Sequence, residues 1–285
     1  MRSPPWFSTP ASCKVFFCAA LLALLPCAAG AEELVLSVPA QRIVTLAPSL
    51  AELVYAAGAG EKLVGVSSWS DYPAAAQALP QVGSYGKIDL ERLLQLRPDL
   101  VIGWRGGNAP RDLERLAKLG IPLYVTEARQ LDDIPRQLET IGRLAGTAAQ
   151  AARAAAAFRS ELQILAQRYR QARPVSVFYQ IWYQPLMTVN GQHLISEVVR
   201  LCGGVNPYAA LPALTPTVSR ESLLASDPAV IVVNGDPARW QAYPQLEAVR
   251  RQRLYAINPD FLLRATPRLL EGARQLCAVL EQARQ

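Results

Sequence analysis

Histidine is nearly absent from this chain: 285 residues contain one, His193. A Ser-His-Asp triad, a histidine-ligated zinc or a histidine general base would each have to run through that position. It sits beside Gly191 and Gln192, in what reads as a hairpin turn, with no cysteine or carboxylate cluster around it. The P-loop, the G-x-G-x-x-G fingerprint and the G-x-S-x-G nucleophile elbow are also missing. Gly106-Gly107 offers at most a backbone anion nest, and two loop glycines usually make only a turn. No enzyme is expected, and no cofactor or metal-ligating residue. A hydrolase built from carboxylates that converge without a recognisable motif is the distant rival.

Cysteine is scarce once the N-terminus is set aside. Arg2 and Lys14 precede or flank the short apolar run 15–27, and Ala29-Gly30-Ala31 has the small-x-small pattern of a signal-peptidase site. Residues 1–31 therefore read as a cleaved signal peptide, and the mature chain as a soluble, extracytoplasmic protein. The alternative, a lipid anchor on Cys27, is disfavoured by Pro26 immediately before it. Cys13, Cys18 and Cys27 leave with the leader, so only Cys202 and Cys277 remain of five. Two cysteines in an exported chain suggest one disulfide. A metal or redox pair is the alternative, but their separation and lack of companion ligands argue against it. Such a bridge, closing about 75 residues, is worth roughly 4 kcal/mol in the chain-entropy model.

Charge of one sign is also lacking. The leader holds two of the 29 basic residues and none of the 23 acidic ones, leaving 27 against 23 in the mature chain. These charges are dispersed, without the Lys/Arg run of a nucleic-acid surface, so no nucleic-acid partner is expected. No stretch after the leader reaches the length of a transmembrane helix.

What the chain does contain is a repetition. Residues 89–102, DLERLLQLRPDLVI, align with 219–232, SRESLLASDPAVIV, placing Glu91 on Glu221 and Pro98 on Pro228. Each copy opens with a capping residue, Asp89 or Ser219, and carries its glutamate in the first turn, where the helix dipole favours an anion. Each then reaches a proline and a branched-chain run suited to a buried parallel strand. Either glutamate alone is ordinary helix stabilisation; two at matched positions are candidate docking points.

Strands alternate with helices on both sides of one long helical segment. RIVTLAP is a strand whose Pro48 opens a turn, and SLAELVYAAGAG is a helix capped by Ser49. Residues 147–172 lack Gly and Pro, and Thr147 with Gln150 reads as a capping box. Phe158, Leu162, Leu165 and Tyr169 share one helical face. The expected fold is α/β: two similar lobes with parallel-type sheets, joined by a single long helix, with a ligand in the cleft between them. The lobes are expected at 32–146 and 174–285, and the linking helix at 147–173. An Ala-rich surface helix within one domain is the alternative reading of that segment.

Loops that follow strands in such sheets converge on a shared crevice. Here they carry Trp69, Tyr72, Tyr85, Trp104 and Arg105 in the first lobe. The second carries Tyr179, Gln180, Trp182, Tyr183, Asp260, Phe261 and Arg264. Flat rings from two lobes with a few polar groups between them suit a large, partly apolar ligand.

At RIVTLAPSLAEL, VGVSSWSDYP, LERLLQLRPDLVIGWRGGN, VSRESLLA, RLCGGVN and LLRATPR, the sequence resembles the periplasmic vitamin B12-binding proteins of cobalamin ABC importers. These fall within the helical-backbone (class III) family that binds metal chelates. The resemblance runs in order from about residue 41 to 280. It implies two lobes on one long helix and cobalamin, or a related corrinoid, bound as transported cargo with its own axial ligands. It implies delivery to an inner-membrane ABC permease with its ATPase subunits, by a protein that is monomeric when free. Carried over by position, Trp69 and Tyr85 match aromatic positions of the corrin cleft, and Asp260 to Arg264 match a ligand-contacting loop. Trp104, Arg105, Tyr179, Trp182 and Phe261 complete the expected ligand-binding set. Glu91 and Glu221 match the lobe-tip glutamates that engage permease arginines, and Cys202 and Cys277 match the family's disulfide. Two features depart from the pattern: Trp69 and Tyr85 are aromatic swaps, and Thr215-Pro216 stands where a tryptophan contact is expected. Haem and ferric-siderophore binding proteins share this fold and form the alternative. Haem would draw on Tyr85 or Tyr179, and a siderophore on Arg105 and Arg264.

Overall fold

The computed structural model describes residues 34–84 and 86–285. The expected signal peptide and Tyr85 lie outside the described residues. In the first lobe, the buried strand β1 (Ile43–Thr45) leads directly into α1 (Pro48–Ala56). Pro48 occupies the first turn and Ala47 is the N-cap. The expected Ser49 cap is therefore corrected: proline's fixed φ suits that first position, whose N–H would have no partner anyway. The strand β2 (Leu63–Gly65) follows, then a short antiparallel pair, β3 (Gly83–Ser84) with β4 (Lys87–Ile88). Next come α2 (Leu90–Gln95), β5 (Leu100–Trp104), α3 (Pro110–Lys118), β6 (Leu123–Thr126) and α4 (Asp133–Ala145).

The long helix α5 spans Ala148–Tyr169. Beyond it are β7 (Val175–Gln180), α6 (Leu194–Leu201), β8 (Gly204–Val205) and α7 (Arg220–Ser226). The chain ends with β9 (Val230–Val233), α8 (Glu247–Arg250), β10 (Leu254–Ala256), α9 (Pro259–Leu262) and α10 (Leu269–Arg284).

The two main sheets are parallel and share one topology. The first runs β2-β1-β5-β6 and the second β8-β7-β9-β10. Counted from each lobe's own start, both read second, first, third, fourth. The repeat noted in the sequence falls at the same place in each: α2 precedes β5 and α7 precedes β9. Their caps match as well. Asp89 accepts a hydrogen bond from the Arg92 N–H at 3.0 Å, and the Ser219 hydroxyl accepts from the Ser222 N–H at 3.1 Å. Parallel strands require crossovers on the sheet faces, so their C-terminal ends share one edge.

α5 forms contacts in both lobes, packing on α4 of the first and on α6 and α10 of the second. Ala151, Ala155, Phe158, Leu165 and Tyr169 are buried on it. Its alanines let α4 approach closely: a Cβ on Gly142 would meet the Ala151 methyl at 2.3 Å. Charges brace both contacts, through Arg159 to Glu139 at 2.5 Å and to Asp132 at 3.1 Å, and through Arg274 to Glu161 at 2.7 Å. The expected capping box does not form. α4 ends in the left-handed Gly146 and turns straight into α5. The Thr147 hydroxyl oxygen is thereby buried without a hydrogen-bond partner, unable to cap the helix.

Cys202 at the end of α6 and Cys277 in α10 form a disulfide in the fully buried core. It ties the last helix to the second lobe across 75 residues of chain. Denatured protein lacking residues 1–31 is expected to titrate with no free thiol. Cys202→Ser with Cys277→Ser should lower unfolding stability by about 2–4 kcal/mol in denaturant melts.

Candidate functional site

A cavity of about 400 Å³ opens between the lobes. The first lobe contributes the β1–α1 turn from Ala47 to Leu50, Trp104 at the end of β5, and residues 126–129 after β6. The second contributes Gln192, His193 and Leu194 at the start of α6, Pro212 and Leu214, and the segment Leu262 to Ala265. The first lobe's contributions lie at the C-terminal ends of β1, β5 and β6, where parallel strands release their loops.

Trp104 is the expected ring that the fold brings into this cavity. Its placement explains the two glycines behind it. A Cβ on Gly107 would lie 2.1 Å from the indole, and one on Gly106 would lie 3.0 Å from the indole nitrogen. The loop is thus a seat for Trp104, and Asn108 secures it by accepting from the Trp104 N–H at 2.7 Å and donating to the Leu46 carbonyl at 2.9 Å. Arg105 beside it is exposed and outside the cavity wall.

Arg264 also lines the cavity, but its guanidinium is already engaged. It reaches Glu52 at 2.9 Å and Asp71 at 2.6 Å in the first lobe, and Asp260 at 3.1 Å in its own. Arg268 meets the same Glu52 oxygen at 3.2 Å and lies over the Tyr72 and Phe261 rings. Asp260 and Phe261 therefore stand behind Arg264 and do not form the cavity wall. Glu52 is buried, and its second oxygen has no hydrogen-bond partner. The Arg264 hydrogen bond holds the Asp71 carboxyl below the usual carboxylate range, against the opposing effect of burial.

Trp69 stands on the loop that supplies Asp71. Its side chain is 76% exposed and its backbone is left-handed, with φ of 67°. That conformation is unfavourable for a bulky residue, and such strain concentrates at binding sites. Trp182 is likewise exposed, with its indole N–H donating to the Gln184 carbonyl at 2.9 Å. Neither ring forms part of the cavity wall. Tyr179 requires a correction. It is 1% exposed on the central strand β7, and its hydroxyl donates to Asn234 at 2.7 Å. Burial raises its pKa, and the ring is part of the core without a face in the cleft.

The residues that sequence reasoning missed are Gln192, His193, Leu214, Glu52 and Asp71. His193 lies at the N-cap of α6, not in a hairpin turn, and its Nδ1 accepts from the Ile195 N–H at 3.1 Å. The amphipathic stretch LISEVVRL after it, with Glu197 in the first turn and Arg200 in the last, was the available signal for a helix start. Leu214 and Pro212 line the cavity from the loop in which Thr215-Pro216 replaces the expected tryptophan. Glu91 and Glu221 are both exposed on the first turns of their short helices, away from the cavity. No group of three or more His, Cys, Asp or Glu among the described residues is arranged to hold a metal ion.

Two α/β lobes on one long helix, with a cavity between their sheet edges, define the two-lobed class of ligand-binding proteins. Residues 43–259 match the family described as periplasmic binding protein, and the chain belongs to that family. It is 42% identical over 269 residues to the vitamin B12-binding protein of Yersinia pestis (strain Pestoides F), covering 90% of this chain and 94% of the relative. The solved periplasmic vitamin B12-binding protein of Vibrio cholerae superposes with a TM-score of 0.82 at 39% identity, over 87% of this chain and 99% of that one. A periplasmic heme-binding protein from Roseiflexus sp. RS-1 superposes at 0.78 with 26% identity, over 86% and 99%.

Burial lowers the His193 pKa from an ordinary 6.5 to about 4. The folded ring is therefore neutral where the unfolded chain's histidine takes up a proton. Its contribution to stability is fully present above about pH 6.5 and is lost as pH falls towards 4. Melting temperatures measured across that window should fall with pH, and His193→Asn should flatten this limb.

Proposed function

We propose that this chain captures cobalamin, or a related corrinoid, in the inter-lobe cleft and delivers it to an inner-membrane ABC permease with its ATPase subunits. The observation that carries the reading is the cavity itself. Trp104 walls it from one lobe and His193 and Leu214 from the other, in a chain 42% identical to a vitamin B12-binding protein. In this reading the protein performs no chemistry. It binds a cargo whose metal already has its axial ligands, so the protein need supply none. Residues 1–31 serve as the cleaved leader that brings the chain to the periplasm, where it acts as a monomer. The lobes correspond to 32–146 and 174–285, with 147–173 between them.

A corrinoid exceeds an enclosed volume of about 400 Å³. Part of it therefore lies in the open mouth, where we place Trp69 and Trp182 as stacking surfaces, with Tyr85 a further ligand contact proposed from its sequence position alone. Trp104 forms the floor. Arg264, Asp260 and Phe261 act as one unit: the ion pairs hold the guanidinium in place, and its free edge meets the ligand's peripheral amides. Arg105 stands at the rim. Affinity in such a site comes from ring burial, with hydrogen bonds fixing orientation.

The second reading is haem, and the structural likeness to a heme-binding protein favours it. Haem iron in this fold would draw on a tyrosine, but Tyr179 is buried with its hydroxyl already bonded to Asn234. That leaves Tyr85. Titration calorimetry of the exported protein with cyanocobalamin, haemin and a ferric siderophore separates the readings. We expect saturable 1:1 binding of cyanocobalamin at micromolar or tighter, weakened by about 1–3 kcal/mol in Trp104→Ala, as for loss of one aromatic stacking contact to a ligand. Binding of haemin alone would move the function to haem uptake.

Glu91 and Glu221 form the permease-docking pair in this reading, because they are exposed at equivalent places on the two lobes. Exposed ion pairs contribute only about 0.2–1 kcal/mol each, so they set orientation and encounter rate more than affinity. The double variant Glu91→Ala, Glu221→Ala should lose transport in reconstituted vesicles while cyanocobalamin affinity stays within a few fold. Loss of cyanocobalamin binding instead would show that these glutamates do not act in docking.

A further inference from the structure

His193 lines the cavity, and the fold dictates which of its ring nitrogens carries the proton. A neutral imidazole has one donor and one acceptor nitrogen. Nδ1 accepts the Ile195 N–H at the start of α6, so the proton resides on Nε2. The imidazole makes no other hydrogen bond within the described residues, and His193 lines the inter-lobe cavity beside Gln192 and Leu194. Burial keeps the ring uncharged at neutral pH.

This arrangement governs what the ring can offer. To coordinate a metal, Nε2 would have to give up its proton, and in a neutral ring that proton would move to Nδ1. Nδ1–H would then face the Ile195 N–H, donor against donor, and the first turn of α6 would lose its cap. The same geometry makes Nε2–H a donor already aligned by the helix, at little cost in side-chain freedom.

We propose that His193 is a specificity-setting contact of this cleft, donating its Nε2–H to an acceptor oxygen on the periphery of the bound chelate and contributing no ligand to the central metal. The proposal rests on the corrinoid reading and sharpens it. The site then favours a chelate whose metal has a complete coordination sphere and whose rim carries carbonyl or phosphate oxygens. An open-faced metal chelate gains nothing from the only histidine in the chain.

The test uses the exported protein with two probes. Cyanocobalamin has no exchangeable position that a side chain readily takes, whereas aquocobalamin carries a replaceable water. Wild-type protein should bind both, and the visible spectrum of aquocobalamin should not change to that of an imidazole adduct. His193→Asn keeps an N-cap acceptor for Ile195 and should melt as the wild type does at pH 7.5. That variant and His193→Ala should each weaken cyanocobalamin binding about three- to tenfold, as for one neutral hydrogen bond. Unchanged affinity in both variants would overturn the donor role. An imidazole-type spectral shift with wild type, absent in His193→Ala, would overturn the absence of a histidine ligand on the metal. Failure of the wild type to bind either cobalamin would overturn the corrinoid reading, and the donor assignment with it.

Discussion

The cleft exists because α5 cannot move independently of either lobe. Its buried face carries Ala151, Ala155 and Phe158 at one end and Leu165 and Tyr169 at the other, and these join one continuous hydrophobic core with residues of both sheets. Helices packed this closely do not slide without opening voids, and core voids are costly. The separation of the two sheet edges is therefore set by α5, and so is the size of the cavity between them.

The ion pairs across the cleft act on that frame. Arg264 and Arg268 come from the second lobe and meet the buried Glu52 of the first. A buried carboxylate is costly unless it is paired, so removing either arginine would leave Glu52 less compensated. Such a network adds geometric definition more than net stability. It aims Arg264 at the cavity and holds the Asp71 loop, which carries Trp69, against the opposite lobe.

Much of the architecture was legible along the chain. The repeat around Glu91 and Glu221 correctly implied two lobes of one topology, because caps, prolines and branched-chain runs act through neighbours in sequence. The long helix was readable from the absence of Gly and Pro. Local reasoning failed where a cap depended on distant packing. Thr147 has the right residue type, but the α4–α5 turn buries its hydroxyl. His193, with no strong cap propensity, takes the cap of α6. Tyr179 was misread for a related reason: a ring near a strand end looks the same in sequence whether it faces the crevice or the core.

The amino-acid sequence by itself indicated the class of fold, the paired lobes, the exposed glutamates and Cys202 with Cys277 as the candidate disulfide pair. Each follows from short-range pattern or from a count. Only the tertiary structure decided which rings and polar groups share the cavity. Glu52 and Arg264 are 212 residues apart in the chain and 2.9 Å apart in space. Trp104 meets the cavity because two glycines leave room for its ring, while Tyr179 is enclosed because β7 is covered on both faces. Those outcomes depend on how two sheets are set against one helix, and no local pattern encodes that geometry.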